Sequence, residues 1–100
     1  MRPEQMLEPE KAALERLLKI AQGDTGQSRR VADFLLAWWN PANCGKYDIC
    51  TGWALDEDIM EDVCVVFRLA SRANSYPDTL GYGPQFEAVV REWRPELVKE

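Results

Sequence analysis

The stretch SYPDTLGYGPQF, residues 75–86, constrains the fold more than any other part of the chain. Pro77, Gly81, Gly83 and Pro84 stop any helix that runs into it, because proline lacks an amide proton and glycine admits backbone angles closed to other residues. The segment is therefore expected to reverse the chain between a helix that ends near Ala73 and one that Pro84 opens. Tyr76, Leu80 and Tyr82 stand between the breakers, where a merely solvated linker would have little use for them. They predict a clasp packed on the helices, whose outer edge near Tyr76 and Tyr82 is a candidate contact for a partner.

Similar punctuation divides the rest of the chain. A first helix is predicted from Pro9 to about Gln22, with Gly23 as its left-handed stop. Leu14, Leu17, Leu18 and Ala21 form its buried stripe, and Glu15 and Lys19 stand four apart on its wet side. A second helix follows GDTGQS, where Asp24, Thr25 or Ser28 supplies the cap. Its expected inward face is Val31, Phe34, Leu35 and Trp38, and it ends at Asn40, before Pro41. The loop PANCGKYDICTGW holds a candidate short strand at Tyr47–Cys50, with no second strand evident to pair with it. A third helix is predicted from Asp56 to about Ala73. Ile59, Val63, Val66, Phe67 and Ala70 share one side of it, with Met60, Cys64 and Leu69 widening the stripe. So broad an apolar surface makes it the expected central helix. The fourth helix starts at Pro84, turns Phe86, Val89, Val90 and Trp93 inward, and ends or kinks at Pro95. The fold class is all-α: a compact single-domain bundle of about four helices with two long structured loops. Residues 1–8 read as an N-terminal extension and 9–98 as one helical domain.

Charge and composition exclude several functions. The net charge is −5, and Asp56, Glu57, Asp58, Glu61 and Asp62 crowd into seven positions. Such a balance disfavours direct nucleic-acid binding through phosphates. No apolar run approaches the roughly 20 residues a membrane span needs, and the N-terminus has no signal-peptide core. With an odd count of three cysteines, the chain is expected to be cytoplasmic with reduced thiols and to have no membrane partner.

Each candidate site also has a plainer structural role. The chain has no histidine, so the commonest general base and the commonest metal ligand are both missing. No catalytic residue, cofactor or metal ligand is assigned. Glu57 with Glu61, and Asp58 with Asp62, lie four apart and could share a divalent ion, but an acidic first turn also suits the helix dipole. A zinc site of Cys44, Cys50 and Cys64 with Asp48 lacks the usual ligand spacing. In GDTGQSRR, a glycine-containing turn before a helix stands beside Arg29 and Arg30. That is an anion-site pattern, though neither a Walker loop nor a GxGxxG fingerprint. Trp38 and Trp39 point about 100° apart around a helix, so both cannot face the core centre. The indoles are expected to close the bundle with their N–H groups on loop carbonyls; exposed Trp and Tyr beside Arg would instead resemble an interface hot spot.

The motifs GDTGQSRRVADFLLAWWN and SYPDTLGYGPQFEAVVREWRPEL resemble a family of small uncharacterised proteobacterial proteins, often carried on plasmids, integrative elements or prophages. The resemblance covers most of residues 12–98 and implies a cytoplasmic accessory protein of a bacterial mobile element. It brings no activity or catalytic residues. The expected function is a non-enzymatic protein-interaction module that binds another protein through loop and aromatic surfaces. Its candidate contacts are Tyr76, Tyr82, Arg29, Arg30, Asp56, Glu57, Asp58, Glu61 and Asp62, and a homodimer is possible. One alternative is an acidic inhibitor of host defence, of anti-CRISPR or anti-restriction type, that occupies a nucleic-acid groove. A second is a metal-dependent enzyme using Asp58 and Asp62.

Overall fold

Four stretches of helical periodicity become four helices: α1 (Glu8–Ala21), α2 (Gly26–Trp39), α3 (Glu57–Ala73) and α4 (Gly83–Trp93). The structure, a computed structural model, describes residues 1–98. Short 3-10 turns at Pro3–Gln5, Ile49–Ala54, Pro77–Leu80 and Pro95–Leu97 fill much of the intervening chain. Among the described residues there is no strand. The candidate strand at Tyr47–Cys50 gives way to a 3-10 turn beginning at Ile49, since no second segment offers its backbone a ladder. The radius of gyration, 12.6 Å, matches the roughly 13 Å of a compact chain of this length.

Local chemistry accounts for the helix ends. Thr25 caps α2, its hydroxyl oxygen accepting from the Ser28 amide at 3.0 Å. Gly23 is needed for closeness and not for handedness. Its φ is not positive, but an added Cβ would stand 2.7 Å from Ser28 Oγ. The left-handed stop occurs instead at Asn74, φ 51°, which ends α3. Gly81, φ 90°, closes the turn before α4.

The central helix is α1, which corrects the expectation that α3 would be. The predicted stripe Leu14, Leu17, Leu18 and Ala21 is buried, and α1 packs against α2, α3 and α4. Two ion pairs set the direction of α3 against it. Arg16 grips Asp62 with two bonds of 2.8 Å, and Arg72 grips Glu10, so the two helices run antiparallel. Burial would push the Glu10 carboxyl up, but the Arg72 guanidinium and the Leu7 amide hold it below its usual value. That pair contributes stability above the ordinary carboxylate pKa and loses it as pH falls through the lowered one. The extension before α1 also joins the core, with Met6 buried.

α2 and α3 flank α1 and run parallel. At one end Gln27 bonds to Asp56 through both its amide oxygen and its amide nitrogen. At the other, Trp38 Nε1 donates to the Ser75 carbonyl at 2.9 Å. A connection between parallel helices must return along their whole length, about 21 Å for fourteen residues. Residues 40–56 make that return as a strap.

α4 packs on α2 and wedges Phe86 between two tryptophans. Trp38 meets its edge at 5.9 Å and Trp39 stacks on it at 5.5 Å. The predicted inward residues Phe86, Val89 and Val90 are buried, and Trp93 closes the end by donating to the Ala21 carbonyl at 2.6 Å. Several expected core positions differ. Phe67 and Cys64 are exposed, and Phe34, Trp38, Ile59, Met60, Ala70 and Trp93 are only half-buried. Leu69 and Ala73 join Val63 and Val66 in the α3 core, while Ala32 and Leu36 join Val31 and Leu35 in that of α2.

Candidate functional site

Parallel helices on either side of α1 leave a furrow between them. Phe34, Ala37 and Trp38 form its α2 wall, while Met60, Val63, Cys64, Phe67 and Ala70 form its α3 wall. The strap contributes Pro41, Gly45, Tyr47 and Ile49, and the groove holds about 910 Å³. That volume lies in the range of ligand pockets, and its lining is mainly apolar, with Arg68 and Ser71 at the α3 wall.

The strap is seated by three contacts. A Cβ on Gly45 would stand 2.8 Å from Ala37 Cα and 2.9 Å from Pro41 Cα, so glycine lets two backbones touch. Tyr47 meets Phe34 edge-on at 5.2 Å. Gly52 lies so close to Met60 that a Cβ would meet its sulfur at 2.8 Å. Among the described residues, the Tyr47 hydroxyl is buried without a hydrogen-bond partner. Burial pushes its pKa up, with the charges of Cys64 and Asp48 adding to the shift. A buried orphan hydroxyl costs about 1–3 kcal/mol.

Ile49 and Phe67 stand in the open on this groove, and Trp53 stands in the open on the 3-10 turn of the strap. Ile49 is 80 % exposed, Trp53 88 % and Phe67 65 %. From the sequence, Ile49 and Phe67 have no contact role, and Trp53 has one only as the exposed-indole alternative. Phe67 shares the helical period of the core residues, and Ile49 and Trp53 lie in a loop whose orientation no period predicts. Trp53 departs from the expectation that the indoles close the bundle with their N–H groups on loop carbonyls. Trp38 meets it at Ser75, Trp93 donates instead to the last carbonyl of α1, and Trp39 packs on Phe86.

The two tyrosines of the clasp separate. Tyr82 is buried and donates to Glu15 Oε2 at 2.8 Å, so Glu15 serves the clasp. Pro77 and Leu80 are buried beside it, while Tyr76 is exposed and follows the carbonyl that Trp38 holds. Burial and the Glu15 carboxylate push the Tyr82 pKa up to about 12. Because the folded value is raised, the stabilisation is complete below the ordinary tyrosine pKa of about 10 and is lost as pH rises towards 12. Alkaline unfolding followed by circular dichroism should therefore begin above about pH 10. Tyr82→Phe should flatten that limb at a cost near 1 kcal/mol at neutral pH. An unchanged alkaline limb in the variant would show that Tyr82 does not drive it.

The charged candidates do not form one site. Asp62 is held by Arg16 and Asp56 by Gln27. The Asp58 carboxylate accepts from the Ile59 amide within the first turn of α3, and Glu57 and Glu61 are exposed. Arg29 is exposed and Arg30 lies over Gly26; neither makes an ion pair among the described residues. Cys44 is buried, with its thiol pKa pushed up by that burial, whereas Cys50 and Cys64 are exposed. Among the described residues no three Asp, Glu or Cys side chains are gathered to hold a metal ion, and no helix is long and apolar enough to cross a membrane.

Fold and groove together define a small helical domain with an open apolar furrow on one side. The chain belongs to DUF7673, a family of unknown function whose profile matches residues 11–94. No curated protein and no solved structure matches it.

Proposed function

We propose that this chain is a non-enzymatic protein-interaction module, cytoplasmic and belonging to a bacterial mobile element, that binds another protein across the groove and its strap. The observation that carries the reading is the exposure of Ile49 and Phe67 on one apolar groove, with Trp53 exposed on the same strap as Ile49. Contiguous exposed apolar surface is costly in water and marks contact sites, where buried aromatic anchors dominate affinity. Tyr76, exposed beyond the Trp38 end, extends the same contact region. The mobile-element setting is supported by the resemblance of the two long motifs alone. The acidic-inhibitor reading rests on Glu57, Asp58 and Glu61, since Asp56 and Asp62 are engaged within the fold. The metal-enzyme reading loses Asp62 to Arg16 in the same way.

The test is site-specific photo-crosslinking in the native host. A photoreactive phenylalanine at position 67 should give an adduct with one heterologous protein, and the same probe at exposed Glu87 on α4 should give none. With that protein purified, Phe67→Ser should weaken binding by roughly thirtyfold or more, about 2 kcal/mol for an anchor residue, without lowering the melting temperature. Equal adducts from both positions, or binding indifferent to Phe67→Ser, would defeat the groove reading. Loss of binding on Asp58→Lys alone would transfer the contact to the acidic turn.

A further inference from the structure

The outer edge of α3 carries a charge pattern that complements itself. At about 100° per residue, Met60, Cys64, Phe67 and Ser71 fall in one row along the helix, and all four line the groove. The same rotation places Glu57, Glu61 and Arg68 together on the solvent side of that row. The two acids lie towards its N-terminal half and the arginine towards its C-terminal half. None of the three makes an ion pair within the described residues. A heterologous partner of one charge sign would leave one end of this edge opposed. A second copy turned end for end matches both.

We infer that this groove face also pairs with a second copy of the chain, about a two-fold axis that sets the two α3 helices antiparallel beside Cys64. The inference rests on the reading of that face as a contact surface. In this arrangement Glu61 of each copy faces the partner's Arg68, which forms two equivalent ion pairs, as an isologous interface requires. Phe67 of each copy lies over the other's groove, covering the apolar row from both sides. The exposed Cys64 comes close to its counterpart at the axis.

Sedimentation velocity of the purified full chain tests this directly. The expected species has twice the 11.5 kDa chain mass. Glu61→Arg and Arg68→Glu should each raise the dimer dissociation constant on the order of tenfold or more, because each sets like charges opposite one another. The double variant E61R/R68E should recover dimerisation. Both positions are exposed, so melting of the monomer should not change and folding will not confuse the result. In a Cys50→Ser background, diamide should oxidise the two Cys64 thiols to an intermolecular disulfide, itself reduced to the hydrazine, and Cys64→Ser should abolish the linked species. A monomer at high micromolar concentration overturns the inference, as does a dimer indifferent to both single reversals. A monomer that still gives a heterologous adduct at position 67 removes the dimer and leaves the proposed function standing. A dimer whose only adduct at position 67 is with itself does the reverse.

Discussion

Phe86→Ala should cost about 3–5 kcal/mol of folding stability, the usual price of removing a buried phenylalanine. Phe86 is fully buried, with Trp38 against its edge and Trp39 stacked on its face. The alanine would leave a void between two indoles, and both are restrained from closing it. Trp38 is held by the Ser75 carbonyl, and Trp39 is one residue from the chain turn at Asn40. For a domain of this size the loss should lower the melting temperature by about 12 °C or more, measured by thermal unfolding with tryptophan emission as a second probe. Phe86→Leu should recover part of the loss by refilling the space. A cost below about 1 kcal/mol for the alanine variant would mean that α2 and α4 are held by something other than this wedge.

Gly45→Ala should be the most damaging single change in the strap. The new Cβ would lie under 3 Å from backbone atoms of Ala37 and Pro41, and backbone cannot swing aside as a side chain can. The strap must lift from the C-terminal end of α2, at a cost of about 1–3 kcal/mol, typical of overpacking. Tyr47, two residues on, should then lose its edge contact with Phe34, and its hydroxyl should reach water. The expected result is a lower melting temperature together with faster amide exchange confined to residues 41–54. Uniform faster exchange over all four helices would instead indicate global destabilisation, and the strap would not be a separable unit. Gly52→Ala makes a useful comparison. Its Cβ would meet the Met60 thioether, which can rotate away, so the effect should be smaller.

Much of this architecture is legible in the residues. The Leu14, Leu17, Leu18, Ala21 stripe and the breakers around Pro41 and Pro77 specify four helices with nearly correct ends, because helical period and proline geometry act locally. The clasp is legible for the same reason, but its direction is not. Nothing local separates Tyr82, which turns inward to Glu15, from Tyr76, which stays in water. α3 shows the limit most plainly. Its apolar residues cover so much of the helix that period alone admits Phe67 and Cys64 to the core alongside Val63 and Val66. The structure leaves both exposed because α3 packs chiefly on α1 and has a furrow on its other side. The ion pairs that orient α3, Arg16 with Asp62 and Arg72 with Glu10, span 46 and 62 residues. No spacing rule reaches that far.

By itself, the sequence determined a helical chain, the places where each helix stops, and a segment from Ser75 to Tyr82 that must turn and pack. These follow from backbone chemistry within a few residues. Only the tertiary structure decided that α1 is the centre, that α2 and α3 run parallel beside it, and that a strap must cross the space between them. Those outcomes depend on which faces meet across long separations. The groove with its exposed Ile49 and Phe67 is a property of that meeting.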